Sequence, residues 1–428
     1  MLDPYKIRED FPILKRRVNG VPIVYFDNTA TTQKPRQVIE AIKRFYEEYN
    51  ANVHRGLHTL SQEASEAFEE AHDTIAEFIG ARGREEIILT YNATESLNLV
   101  AWTWGLRNLG KGDEIVMSVM EHHSNMLPWR RVAELTGARI RYVGVDDYGR
   151  LDYEALEEVM SKRVKVVAMT MMSNVTGAIV DIRRVAKLAH DYGAIVVADG
   201  AQAVPHMPVR VYDLGIDFLA FSGHKMMGPT GTGILWGREE ILEGLEPFKV
   251  GGDTIKDVTL EDVVWHDLPW RFEAGTPNIA GMIGLAEAAK YLMRIGMDNV
   301  REYEEELTRY CLRRMEELRG LVETYGPPPE ERGGIVPFNV LLPRGGRLNH
   351  HIVGKALDLF GIAVRTGKHC AHPLHYRLGL EGTVRASFYI YNTKDEVDYF
   401  IDALRKIAER AEELASLEAP PAEVCRPE

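Results

Sequence analysis

The chain has 428 residues, too many for one ordinary hydrophobic core, so two domains are expected. Its 45% hydrophobic and 27% charged residues describe a soluble globular protein, and a net charge of −13 excludes the broad cationic face that nucleic-acid binding needs. No apolar run reaches membrane-spanning length and the opening MLDPYKIRED lacks a signal peptide's apolar stretch, so a cytoplasmic protein with no membrane partner is expected.

In chain order, helical periodicity is clear from Ser61 to Ile79: Ala64, Phe68, Ala71, Ile75 and Phe78 share a face and Gly80 stops the helix. Short β-rich runs then alternate with helices: Glu86–Thr90, Glu114–Ser118, Arg139–Val143, Val164–Thr170, Ala194–Ala198, Asp217–Phe221 and Gly233–Trp236. The middle runs are apolar without alternation, as strands buried on both faces are, and the interleaved helices imply a mostly parallel α/β sheet. After Gly275–Asn278 two long helices run to about Leu318. A smaller set follows: strand Ile335–Leu341, helix Asn349–Phe360, strand Ile362–Arg365, strand Thr383–Ser387, and a last helix opened by the capping box Thr393 and Glu396. The expected division is an N-terminal segment, 1–20, packing with the smaller domain, a large domain at 21–298 and a small one at 299–428. The Pro-rich stretch near Ala419–Pro421 reads as a frayed terminus.

Polar residues cluster where the strands end, and in open α/β sheets the ligand lies beyond the carboxyl ends of the strands. Asp199 follows the buried run Ala194–Ala198, and a carboxylate there is costly unless paired. A protonated pyridine nitrogen, as in pyridoxal 5′-phosphate (PLP), is one suitable partner; capping of the next helix is the alternative. Lys225 lies just past another buried run, where desolvation lowers an amine's pKa and makes it nucleophilic; a lysine snorkelling at a domain edge is the alternative. Thr94, between a strand and an apolar helix, stands where a hydroxyl and free N–H groups meet an anion, or serves as a plain N-cap, and Ser222 and His224 could add donors.

Three cysteines, Cys311, Cys370 and Cys425, give neither a disulfide framework nor metal-ligand spacing, so no metal site is expected from them. Cys370 has Lys368, His369 and His372 as close neighbours, potential cations that would favour a thiolate. Cys311 lies in a helix and reads as core-facing, and Cys425 lies in the tail.

Together these residues resemble the fold-type I PLP enzymes of the class V aminotransferase group, and more narrowly cysteine desulfurases of the sulfur-mobilisation (Suf) type, which are close to selenocysteine lyases. The matching segments are Phe26–Ala30, Val53–Gly56, Glu121–Asn125, Ser173–Gly177, Asp199–Gln202, Ser222–Lys225, Arg271–Asn278 and Arg365–Ala371. The resemblance implies that Lys225 holds PLP covalently, Asp199 pairs its ring nitrogen, Gln202 and Asn174 bond the ring oxygen or its surroundings, and His122 stacks on the ring. Thr94, Ser222 and His224 would bind the phosphate, with Thr276 supplied by the second subunit of a homodimer. Arg385 would clamp the substrate carboxylate, with Arg365, His54 and Ala30 nearby.

The implied reaction converts L-cysteine to L-alanine. Lys225 moves a proton from Cα, and Cys370 takes the sulfur as a persulfide, with His122 shuttling a proton. The sulfur would pass to an acceptor of the SufE or SufU kind, or to the Suf scaffold complex, for iron–sulfur cluster assembly. A selenocysteine lyase, another class V lyase or aminotransferase, and a non-enzymatic PLP-binding scaffold are the alternatives. Two departures from the family pattern stand out. Lys368 replaces the first of two histidines that usually precede the cysteine, and the segment from Cys370 to Arg385 is short, which implies slow turnover without an acceptor. His350 and His351 open a helix as a solvated start; His351 also resembles a histidine that some family members offer to the zinc of a small partner.

Overall fold

The computed structural model describes residues 2–416. Cys425 and the Pro-rich stretch near Ala419 lie outside the described residues. Strands β1 (Ile87–Thr90), β2 (Glu114–Ser118), β3 (Arg139–Val143), β4 (Val164–Thr170), β5 (Ile195–Asp199), β6 (Phe218–Ser222) and β7 (Gly233–Gly237) form one seven-stranded sheet in the order β1-β7-β6-β5-β4-β2-β3. Only β7 runs against its neighbours. The connection 223–232 carries no α-helix, and without a crossover helix the chain can only return antiparallel. The sheet's central strands are buried along their length, as their unbroken apolar runs require.

The strands expected at 194–198 and 217–221 lie one residue later. Asp217 is not a strand residue: its carboxylate takes the Val196 N–H at 2.8 Å and faces His190 at 2.8 Å. The shift makes Asp199 and Ser222 the last residues of β5 and β6. Pairing of Thr170 with Asp199 and of Gly233 with both Thr90 and Ser222 sets β1, β4, β5 and β6 to finish at one edge, where the polar residues collect.

Helix α1 (Thr59–Ile79), starting two residues before the expected Ser61, packs its apolar face against α4 (Ile279–Ile295). At Gly296 the chain turns into α5 (Met297–Glu316), whose Val300 still belongs to the large core while Leu307, Cys311 and Met315 belong to a second. That second core lies under the antiparallel sheet β8 (Val322–Thr324), β9 (Ile335–Val340), β11 (Thr383–Ser387) and β10 (Arg365–Gly367), in that order. The N-terminus serves both cores: Phe11 and Leu14 pack in the large one, Val24 and Phe26 in the small one. Helix α6 (His350–Leu359) and the last long helix α8 (Lys394–Glu409) cover the second sheet; α8 opens with the expected capping box of Thr393 and Glu396.

The single strand expected at Ile362–Arg365 is two. Ile362–Ala363 pairs in parallel with Val24–Tyr25, whereas Arg365–Gly367 pairs with β11, because the two halves find partners in different sheets. No described helix is long and apolar enough to cross a membrane.

Candidate active site

A cavity of about 300 Å³ opens at the sheet edge. Asp199, Thr170 and Ser222 line it from strand ends, Lys225 and His224 from the turn after β6, Arg365 and Arg385 from the smaller sheet, and His369 and Cys370 from the link that follows Gly367. Asp199 is buried, and its carboxylate accepts one hydrogen bond, from the Ala201 N–H at 3.0 Å. Burial raises its pKa, a cost that the Ala201 N–H and the Lys225 ammonium offset only in part. Lys225 forms no ion pair among the described residues; desolvation pulls its amine down to about 8 against the partial opposition of Asp199.

The side expected to take a phosphate is built by close packing. A side chain at Gly233 would stand 2.3 Å from the Asn92 Cα, so glycine lets β7 press against the start of α2 (Ala93–Val100). Asn92 is the N-cap, accepting from Glu95 N at 3.0 Å, and Thr94 is thereby relieved of that role. The Thr94 hydroxyl meets Ser124 Oγ at 2.7 Å, joining the start of α2 to that of α3 (His123–Thr136), and Ala93 N donates to Ser222 Oγ at 2.9 Å. His224 is held down at about 4 by burial and by the charges of Lys225 and Lys34, so it faces the cavity neutral.

His122 caps α3. Its Nδ1 accepts from Ser124 N at 3.1 Å, which leaves the ring proton on Nε2. Burial, with Lys225 next, pushes its pKa down to about 3, so the ring is neutral. Beneath it Glu121 is buried, accepting from Ser118 Oγ at 2.5 Å and Asn125 Nδ2 at 2.7 Å, with its pKa raised to about 7 by burial. These bonds anchor the loop that presents His122.

Cys370 is exposed at the cavity wall, in the short link between β10 and α7 (His372–Arg377). His369 and Cys370 both have left-handed backbone, φ 50° and 55°, a conformation costing about 1–2 kcal/mol per L-residue. Bonds from the large domain hold it: His123 N donates to the Cys370 carbonyl at 2.8 Å and Asn174 Nδ2 to the His369 carbonyl at 2.7 Å. Of the three neighbours expected as cations, the two histidines carry no charge. Burial and nearby cations hold His369 well below its usual pKa, and burial lowers His372, so both are neutral. Lys368 lies over the Tyr376 ring at 4.6 Å. Lys225, Arg365 and Arg385 line the cavity with Cys370, brought in by the tertiary fold.

Arg365 pairs bidentately with Asp27, Nη2 to Oδ2 at 2.6 Å and Nε to Oδ1 at 3.2 Å. Arg385 is buried, donates to the Asn174 carbonyl at 2.6 Å and lies 3.9 Å from Asp27 Oδ1. Asp27 opens a strap that crosses the cavity floor: Thr29 and Ala30 line it, and Gln202 Nε2 donates to the Thr29 carbonyl at 2.9 Å. Nothing in the local pattern marks Asp27 as the partner of two arginines far along the chain; the only sequence signal is its place in the Phe26–Ala30 segment.

Of the residues expected at the site, His54 and Thr276 stand apart from this chain's cavity. His54 packs on Trp270, ring centroids 4.6 Å apart. Thr276 lines a second cavity with Leu89, Thr90 and Tyr91, on the other side of the loop leading to Asn92. Its segment is fixed by buried Glu273, which takes the Leu89 N–H at 2.6 Å and faces His72 at 3.0 Å.

Among the described residues, four buried polar atoms of the first cavity's lining have no hydrogen-bond partner: Thr29 Oγ1, Gln202 Oε1, His369 Nδ1 and Arg385 Nε. Buried orphans are rare in native proteins. With a partly compensated carboxylate, a nucleophilic amine and hydroxyls at two helix starts, the cavity fits a phosphorylated, cationic aldehyde such as PLP.

Residues 24–400 match the family Aminotransferase class-V. The chain is 49% identical to a cysteine desulfurase of Haloferax volcanii over 416 residues, 94% of this chain and 96% of that one. It superposes on the apo structure of a cysteine desulfurase from Thermococcus onnurineus NA1 with TM-score 0.90 at 43% identity, covering 96% of this chain and 99% of that one. A cysteine desulfurase from Escherichia coli gives TM-score 0.87 at 36% identity, over 97% and 99% of the two chains. The chain belongs to the class V aminotransferase family, with its fold-type I architecture and its dependence on pyridoxal phosphate.

Proposed function

We propose that the protein is a cysteine desulfurase that turns L-cysteine into L-alanine and carries the sulfur on Cys370. The observation that supports this most is the exposed Cys370 thiol on the wall of the cavity that also holds Lys225 and Asp199. A PLP enzyme of another type needs no cysteine there.

Lys225 would hold the cofactor, Asp199 its ring nitrogen, and Thr94, Ser222 and His224 its phosphate. Bound PLP supplies an electron sink that makes the substrate's Cα–H acidic and its Sγ open to attack. Arg385 and Arg365 present guanidinium groups to the substrate carboxylate, the more accessible Arg365 already pre-oriented by Asp27. Lys225, with its amine near 8, takes the Cα proton and returns a proton to carbon. Cys370 bonds to the substrate Sγ as the Cβ–Sγ bond breaks. Neutral His122 holds its Nε2 proton toward the cavity, where it can steady the sulfur. The balance closes without an external oxidant: cysteine plus thiol gives alanine plus persulfide, carbon being reduced as the two sulfurs are joined.

The two outlying residues, His54 and Thr276, fit a homodimer in which each copy completes the other's cavity. Exposure of Cys370 suits transfer to an acceptor protein and onward supply of sulfur for iron–sulfur clusters. His351 hydrogen-bonds Thr366 through Nδ1 at 2.8 Å, which leaves Nε2 available to a zinc-bearing partner. Replacing Cys370 by Ala tests the reading: sulfide release and alanine formation from L-cysteine should fall together, whereas parental rates would sink it. Retained selenide release from selenocysteine in that variant would favour a lyase.

A further inference from the structure

The backbone carbonyl of His224, one residue before Lys225, is surrounded by donors. Thr32 N and Thr31 Oγ1 each lie 3.0 Å from it, Thr32 Oγ1 3.1 Å and Lys34 Nζ 3.0 Å. Thr32 Oγ1 also accepts the Met227 N–H at 2.8 Å, so its own proton is free for the His224 carbonyl. The Lys34 ammonium has no carboxylate partner among the described residues; its contacts are oxygens of Thr31, Thr32 and His224, at 3.5, 2.5 and 3.0 Å. An ammonium drawn out of water without a counter-ion is costly, and burial lowers its pKa to about 8. Such a cost is out of place for a surface lysine.

Resting on the assignment of Lys225 as the cofactor-holding amine, we infer that Lys34 is a positioning residue whose ammonium, bound to the His224 carbonyl, fixes the turn that aims Lys225 into the cavity. Thr31 and Thr32 hold the same carbonyl and the Met227 N–H, and Gly223 N donates to the Thr232 carbonyl at 2.8 Å; of these contacts only the Lys34 bond carries a charge. Lys34 acts on the backbone while the phosphate and ring contacts act on the cofactor, so its loss slows capture of PLP without weakening the grip on substrate.

The test is the rate at which cofactor-free protein regains its visible band when PLP is added, read beside the KM and kcat for L-cysteine. Lys34→Met should capture PLP about tenfold more slowly, the order expected when a charge-assisted hydrogen bond is lost, with KM within about twofold. Lys34→Arg, which keeps the charge, should recover most of the rate. Lys43→Met, on the exposed face of helix Arg36–Glu48, should match the parent. Should Lys34→Met not fold, Lys34→Gln keeps a donor without the charge and reads the same quantity. Capture at the parent rate by the Met or Gln variant, or an Arg variant as slow as either, overturns the inference. A Lys225→Ala protein that still forms a borohydride-stable link to PLP would instead refute the assignment of Lys225, a result independent of the Lys34 rates.

Discussion

The depressed amine of Lys225 gives a quantitative prediction for cofactor capture. With its pKa near 8 rather than 10.5, about one Lys225 amine in ten is neutral at pH 7, against about one in three thousand for an ordinary lysine, a roughly three-hundred-fold gain in nucleophile. The rate at which cofactor-free protein captures PLP should therefore rise through pH 8 and level off by about pH 9. Stopped-flow absorbance across that range measures it directly. A rate that still climbs about tenfold per pH unit between pH 8.5 and 9.5 would refute the desolvated amine. The same depression bears on stability. A lysine whose folded pKa lies below its unfolded value costs the fold the most while both states are protonated, below about pH 8, and the cost fades as pH rises from 8 toward 10.5. Lys225→Met should accordingly stabilise the cofactor-free protein near neutral pH by up to about 3 kcal/mol, with a smaller gain at pH 10.

Further outcomes follow from the other contacts. Asp199→Asn removes the charge that partly sustains the Lys225 ammonium, so the capture profile should move to lower pH while retention of PLP weakens; an unchanged midpoint with full retention would contradict both roles. Asp27→Asn unties Arg365 and leaves Arg385 without its nearest carboxylate, so KM for L-cysteine should rise about tenfold, the scale of losing a charged hydrogen bond of 1.5 kcal/mol or so; steady-state kinetics decides. Cys311 is buried, with its thiol pushed up to about 12 by desolvation, so a maleimide should label Cys370 much faster than Cys311 in the folded protein, as peptide mapping would show.

Much of the site was legible because strand ends concentrate function. Asp199, Ser222 and Lys225 could be found from buried apolar runs followed by polar residues that such runs rarely tolerate, and the sheet edge brings them together as expected. The charged groups that share the cavity with Cys370 were not legible. His369 and His372 are neutral and Lys368 lies over Tyr376, while Arg365, Arg385 and Lys225 reach the same cavity from β10, β11 and the turn after β6, a proximity set by the packing of two sheets. The broken strand at 362–367 was equally invisible, since periodicity reports burial and not which sheet a strand joins. The N-terminal strap was the largest omission: Asp27, Thr32 and Lys34 act through partners about 190 to 360 residues away, which no local spacing records.

The central claim is that Cys370 receives the substrate's sulfur. Incubation of the PLP-loaded protein with L-cysteine, alkylation and mass spectrometry of the peptide bearing Cys370 measures this in one step. One added sulfur atom on Cys370, absent from Cys311 and lost in Lys225→Ala, is the predicted result. Alanine formed with Cys370 unmodified, or sulfur gained equally when Lys225 is replaced, would contradict the account.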